Sequence, residues 1–274
     1  MTAAPDDAPG ILRTDFIESA LQGAHLVAAR TASGDPLFLS RRAVFAPGKA
    51  VRGGVPIIFP WFGDAPGLGA HGFARTSAWR EVARTDSGDG LVLELTDSKQ
   101  TRALWPHPFR LRFEVRVDAS LHMALEVTNT GSEPFDYEVA LHSYFTVSDV
   151  TQVLVHGLED ARYIDKPTGF TPCRQGDEPI AFDSEIDRVY NANDAVVRIE
   201  DPLGERTIEV AKSEANSTIV WNPGPKRAST MADLRDDWNR FVCVESGNVG
   251  DDARTLPPGA SERIEVMVTI DARH

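Results

Sequence analysis

Long apolar runs, a basic excess and a framework of cysteines are all missing from this chain, and each absence removes a class of protein. No stretch of about 18 apolar residues occurs, so no membrane helix is expected, and no basic start with an apolar run marks a secretory signal. Acidic residues outnumber basic ones by 41 to 28, giving a net charge of -13, which repels a nucleic-acid backbone. Lysine is scarce beside arginine, 5 to 23, and arginine suits bidentate recognition of phosphate or carboxylate at selected positions. Cys173 and Cys243 have neither metal nor redox spacing, so a reduced, cytoplasmic setting is expected. Linkers, low-complexity tracts and repeats are lacking too. The 274 residues, 42% hydrophobic, are therefore expected to form one domain over 11–274, acting as a monomer. Residues 1–10, rich in Ala, Asp and Pro, are expected to be a flexible tail.

What is present reads as strand after strand. Phe109, Leu111, Phe113, Val115 and Val117 alternate with Arg110, Arg112, Glu114 and Arg116, the pattern of a strand with one wet face. After a turn at 118–120, Leu121, Met123, Leu125 and Val127 alternate as the returning arm of a hairpin. Further strands are expected at 25–29, 37–39, 91–95, 196–199, 207–210, 218–221 and 263–270. Helical periodicity is confined to 16–22 and 231–238, and nothing resembles the crossover helices of a parallel sheet. The fold class is all-β, a large antiparallel sandwich with very few short helices.

Two segments carry candidate chemistry. Phe241-Val242-Cys243-Val244 reads as a doubly buried strand with Glu245 at its end before a turn signal, where an ionised carboxylate loses hydration unless a partner compensates. The plain alternative turns Glu245 out into solvent. From Phe135 onward, Phe135, Tyr137, Val139 and Leu141 share one face while Asp136, Glu138, Ala140 and His142 share the other. His142 is thus expected on a polar face among carboxylates, which would hold it charged near neutrality, and an imidazole can exchange a proton there. A shaped loop follows from Arg52-Gly53-Gly54-Val55-Pro56-Ile57-Ile58-Phe59-Pro60-Trp61-Phe62-Gly63, whose paired glycines permit positive φ and close approach of backbone to a ligand.

Arg52-Gly53-Gly54, Phe59-Pro60-Trp61-Phe62-Gly63, His71-Gly72-Phe73-Ala74-Arg75, Leu141-His142-Ser143-Tyr144-Phe145, Asp187-Arg188-Val189-Tyr190, Trp221-Asn222-Pro223 and Cys243-Val244-Glu245 occur in this order. Together they closely resemble the motifs of the glucose-6-phosphate 1-epimerases, the hexose-6-phosphate mutarotases of the aldose 1-epimerase superfamily, from about residue 27 to 270. The resemblance implies a galactose mutarotase-like supersandwich that binds a hexose 6-phosphate and uses neither metal nor organic cofactor. It implies that His142 and Glu245 are catalytic, and that Arg52, Arg75 and Asp187 contact substrate with His71 adjoining. Ala70 stands where the family usually carries glutamine, which removes a hydrogen bond to the sugar and leaves substrate preference open. Gly224-Pro225 replaces the aromatic that often follows Trp221-Asn222-Pro223.

Anomer exchange needs one base for the C1 hydroxyl and one acid for the ring oxygen, roles expected of ionised Glu245 and protonated His142. Arg52 and Arg75 are expected to pair with the phosphate dianion. Two other readings compete. In a non-catalytic carbohydrate-binding sandwich Trp61, Trp79, Trp221 and the arginines merely hold a sugar; a glycoside hydrolase would need Asp187 or Asp233 as a second carboxylate.

Overall fold

Alternation of apolar and charged side chains builds two large antiparallel sheets in the computed structural model, which describes residues 4, 5, 8 and 10–272. One has nine strands, in the order Ile180–Ala181, Leu154–His156, Val197–Asp201, Arg206–Ser213, Ser261–Ala272, Leu121–Asn129, Phe109–Val117, Gly90–Thr96 and Arg80–Arg84. The hairpin read from sequence is its centre, with Leu121 opposite Val117 and Asn129 opposite Phe109. The second sheet runs Thr171–Arg174, Arg162–Asp165, Ile186–Tyr190, Ser217–Asn222, Phe241–Asn248, Val139–Leu141 and Ile57–Ile58, with Tyr144–Thr146 also pairing to Phe241–Asn248. Their inner faces share one apolar core in which Phe113, Leu125, Val242, Val244 and Val268 are buried. Truncating a buried phenylalanine such as Phe113 to alanine costs about 3–5 kcal/mol.

Several local expectations need correction. The 16–22 segment is not a helix: Ile17–Ala20 is a strand between Ile11–Arg13 and His25–Ala29, all four residues buried, so the two-faced signal of a strand is absent. Residues 37–39 form only isolated bridges, Leu37 to Phe145 and Leu39 to Gly53. Within 231–238 the chain makes a 3-10 turn that begins later, Arg235–Arg240. Two short α-helices were not anticipated, Lys99–Leu104, closed at its start by a Ser98/Thr101 capping box, and Gly224–Ala228. The 52–63 loop contains one short strand, Ile57–Ile58. Of the segment expected to be a tail, residues 1–3, 6, 7 and 9 lie outside the described residues; Ala4 is buried and its N–H donates to Glu18 Oε2 at 3.3 Å. Cys173 and Cys243 are free thiols, and among the described residues no helix is long and apolar enough to cross a membrane.

Candidate active site

A break in one strand, mended by continuous register, sets the centre of the site. Leu141 pairs with Ser246 on one side of the break and Tyr144 with Cys243 on the other, and both pairings step to the same register, so His142 stands opposite Glu245. The strand carrying Glu245 runs on to Asn248 instead of ending there, and all eight of its residues are buried. Its side chains divide between faces, as the period of two requires. Val242 and Val244 enter the inter-sheet core, while Cys243 joins Phe241, Tyr144 and Trp221 in a separate outer cluster. Glu245, in step with Cys243, belongs to this outer face. Two rows of residues cross the sheet there. One runs Tyr144, Cys243, Trp221, Asp187, and the next runs His142, Glu245, Ile219, Val189.

The loops that roof this face are fixed by close backbone contacts. Gly54 was expected to let backbone approach a ligand, but its φ of +59° serves the chain itself: a Cβ there would lie 2.2 Å from Leu26 O. Gly72, at φ +64°, is equally constrained, since a Cβ would sit 1.9 Å from Phe59 O. Glu138 uses both oxygens structurally, accepting from Phe62 N at 2.7 Å and Gly250 N at 2.6 Å. Together these elements enclose a cleft of about 1050 Å³ lined by Arg52, His71, Arg75, His142, Asp187 and Glu245. The cleft thus gathers all six of the site residues expected from sequence. Lys166, Tyr144 and Trp221 also line it. No sequence signal singled out Lys166, because its place depends on pairing between strands far apart in the chain.

Nε2 of His142 lies 3.3 Å from Oε1 of Glu245, with the two residues 8% and 1% exposed. Glu245 therefore does not point into solvent, and His142 is not on an open polar surface. Oε2 of Glu245 and Nδ1 of His142 are buried without a hydrogen bond to another described residue, a rare condition that calls for an explanation such as a catalytic role. The pKa shifts run against the expected charges. Burial, then the charges of His71, Arg75 and Arg52, holds the His142 imidazole well below the usual histidine range. Burial drives the Glu245 carboxyl well above the usual carboxylate range, with Asp187 adding to the shift while Lys166 and Arg75 oppose it. The carboxylates expected around His142 do not act on it, since Glu138 is committed to backbone amides and Asp136 is exposed and bonded to Thr255. Both shifts favour the neutral forms, an imidazole beside a carboxylic acid.

Around the pair, ring contacts fix the imidazole. His142 stacks on Tyr144 at 4.9 Å between centroids and meets Trp221 edge-on at 5.9 Å. His71 lies 6.0 Å from His142; burial lowers its pKa to about 3, and its Nδ1 accepts from Gly63 N at 3.3 Å. Neutral with Nδ1 as acceptor, His71 carries its proton on Nε2. Arg52 donates to Tyr144 Oη at 2.9 Å and to Asp233 Oδ2 at 3.2 Å. Arg75 donates to the backbone of Ala70 at 2.8 Å and has no carboxylate partner among the described residues. Among the described residues no group of three or more His, Cys, Asp or Glu side chains is placed to hold a metal ion.

Residues 17–269 match the family model described as aldose 1-epimerase. The chain belongs to the aldose 1-epimerase family. A relative from Escherichia coli K12 is 41% identical over 234 residues, covering 83% of this chain and 78% of that protein. One from Cenchrus ciliaris is 35% identical over 262 residues, covering 91% and 79%. Both carry the name "putative glucose-6-phosphate 1-epimerase". A crystal structure of a "putative mutarotase" from Salmonella typhimurium superposes with a TM-score of 0.87 at 35% identity, covering 96% of this chain and 90% of that one. A galactose mutarotase related enzyme from Lactobacillus acidophilus shares the fold, with a TM-score of 0.74 at 17% identity over 96% of this chain and 97% of that one. The architecture is the galactose mutarotase-like sandwich.

Proposed function

We propose that this protein interconverts the α and β anomers of hexose 6-phosphates, glucose 6-phosphate first among them, with Glu245 and His142 as the proton-transfer pair. The observation that carries the reading is a buried carboxyl and a buried imidazole 3.3 Å apart, each with an unpartnered polar atom, in an aldose 1-epimerase fold. The pair shares one transferable proton. With that proton on His142, Glu245 is ionised and takes the C1 hydroxyl proton while His142 protonates O5; the C1–O5 bond breaks and an open-chain aldehyde forms. That step leaves a carboxylic acid beside a neutral imidazole, the forms that burial favours. Rotation about C1–C2 presents the other carbonyl face. On reclosure Glu245 protonates the carbonyl oxygen and His142 recovers the proton of the C5 hydroxyl. Positioned proton transfer of this kind contributes roughly a hundred- to ten-thousandfold.

Arg75 is the main phosphate ligand in this reading, because its guanidinium has no carboxylate to neutralise it, and Arg52 is the second, already balanced in part by Asp233. His71 and Asp187 contact the sugar. The 11–274 segment acts as one domain, a cytoplasmic monomer; two free thiols fit a reduced compartment. NMR exchange between the anomeric protons of glucose 6-phosphate, with and without protein, tests the function. Acceleration that is weaker for free glucose supports it, whereas binding without acceleration would leave a sugar-phosphate-binding protein.

A further inference from the structure

Lys166 stands at the end of a row of site residues. Ile164 pairs with Val189 and Asp165 with Arg188, so the next step sets Lys166 opposite Asp187, and its N–H donates to Asp187 O at 3.0 Å. The row across the outer face thus reads Lys166, Asp187, Trp221, Cys243, Tyr144. Nζ of Lys166 is 3.0 Å from Asp187 Oδ1, with its side chain 18% exposed, and the ammonium lies 4.9 Å from the centroid of the Phe62 ring. A cation between a carboxylate and an aromatic face is restrained, unlike a lysine waving in solvent. Ile164 and Val189, which also line the cleft, occupy the adjacent row beside Glu245.

An ammonium has three donors, of which Asp187 engages one, and Asp187 Oδ2 accepts no hydrogen bond from another described residue. An ammonium with donors to spare and a carboxylate with an oxygen to spare therefore sit side by side, in contact through Nζ and Oδ1 at 3.0 Å. Charge argues against phosphate at this place, because Asp187 already balances Lys166 and its carboxylate would repel a dianion. We infer that Lys166 determines substrate specificity by donating to one ring hydroxyl while Asp187 accepts from the hydroxyl next to it, the two together reading a vicinal diol. This rests on the hexose-phosphate reading above and deepens it. A site built to hydrogen-bond a hydroxyl strongly rejects an analogue without one, since its buried polar groups are then left unpaired.

Lys166→Met keeps an apolar stem beside Phe62 and removes the donor. Anomer exchange would be followed by NMR for glucose 6-phosphate and its 2-, 3- and 4-deoxy analogues. Wild-type acceleration of glucose 6-phosphate exchange tests the mutarotase reading separately; if it is absent, the same comparison is made on affinities by calorimetry. The expected result is a loss in kcat/KM of about tenfold or more, mostly in KM, from removing a charged hydrogen bond. That penalty vanishes for one deoxy analogue and persists for the other two. Asp187→Asn loses its penalty with the analogue lacking the adjacent hydroxyl. An equal penalty on every analogue would make Lys166 a structural ion-pair partner only and overturn the inference, as would no penalty at all. Lys166→Leu, which also lacks a donor, replaces the Met variant if that variant does not fold, with the same outcomes deciding.

Discussion

The two sheets carry charge on their outer faces in opposite ways. On the nine-stranded sheet, Arg263 meets Glu114 at 2.8 Å, Arg112 meets Glu114 at 3.0 Å and Arg198 meets Glu209 at 2.9 Å, all at partly exposed positions where pairing is weak because water already solvates each ion. Over the eight-stranded sheet, Glu245 and His142 are buried and incompletely partnered, and Arg75, brought in by the 3-10 turn Ala74–Thr76, hydrogen-bonds a backbone carbonyl and has no carboxylate partner among the described residues. The same antiparallel pleat thus supports a solvated mosaic of opposite charges on one side and a desolvated set of proton carriers on the other. Desolvation separates them. It leaves the ions of the first face hydrated and shifts the protonation equilibria of the second.

The largest break in that contrast comes from the proton pair. Glu245→Gln is expected to lower anomer exchange at saturating substrate by roughly a hundredfold or more with binding largely kept, read by NMR line shapes and calorimetry. Next is phosphate recognition. Arg75→Ala is expected to raise KM for glucose 6-phosphate by roughly ten- to a hundredfold, the range of a charged hydrogen bond, and to leave KM for free glucose nearly unchanged. Arg52→Ala is expected to do less, since Asp233 shares that guanidinium; equal effects on both sugars would remove these arginines from phosphate binding.

Stability sharpens the same contrast. A carboxyl whose pKa is raised on folding holds its proton more tightly in the folded state, so it lowers stability increasingly as pH rises above the unfolded value of 4.5. Glu245→Gln removes that dependence and is expected to have a higher Tm than wild type at pH 7, with the difference closing as pH falls to 4.5. A thermal scan across that range checks the sign. The smallest effect belongs to the solvated face, where Arg198→Ala is expected to cost about 0–1 kcal/mol in a urea titration and to leave exchange untouched.

The difference between the faces also decides what the sequence disclosed. Strands with one wet face, Phe109–Val117 and Leu121–Asn129, were legible because charge and apolar residues alternate. Ile17–Ala20 was not, since burial of both faces erases the alternation and leaves a pattern open to a helical reading. Glu245 drew notice as a carboxylate beside an apolar run, and His142 by its phase; the motifs joined them, but their opposition comes from register. The direction of their pKa shifts was not legible, because it depends on how completely Phe241–Asn248 is covered and on cations brought in by 52–75. Lys166 gave no local sign at all. Its meaning lies in a cross-strand neighbour 21 positions away in sequence.

The central claim is that one buried carboxyl and one buried imidazole exchange a proton with the sugar. Anomeric exchange of glucose 6-phosphate in the presence of the wild-type protein, the Glu245→Gln variant and the His142→Gln variant, each verified as folded, tests it most directly. The account predicts acceleration by wild type and a return close to the spontaneous rate in both variants. Near wild-type exchange in either would contradict it.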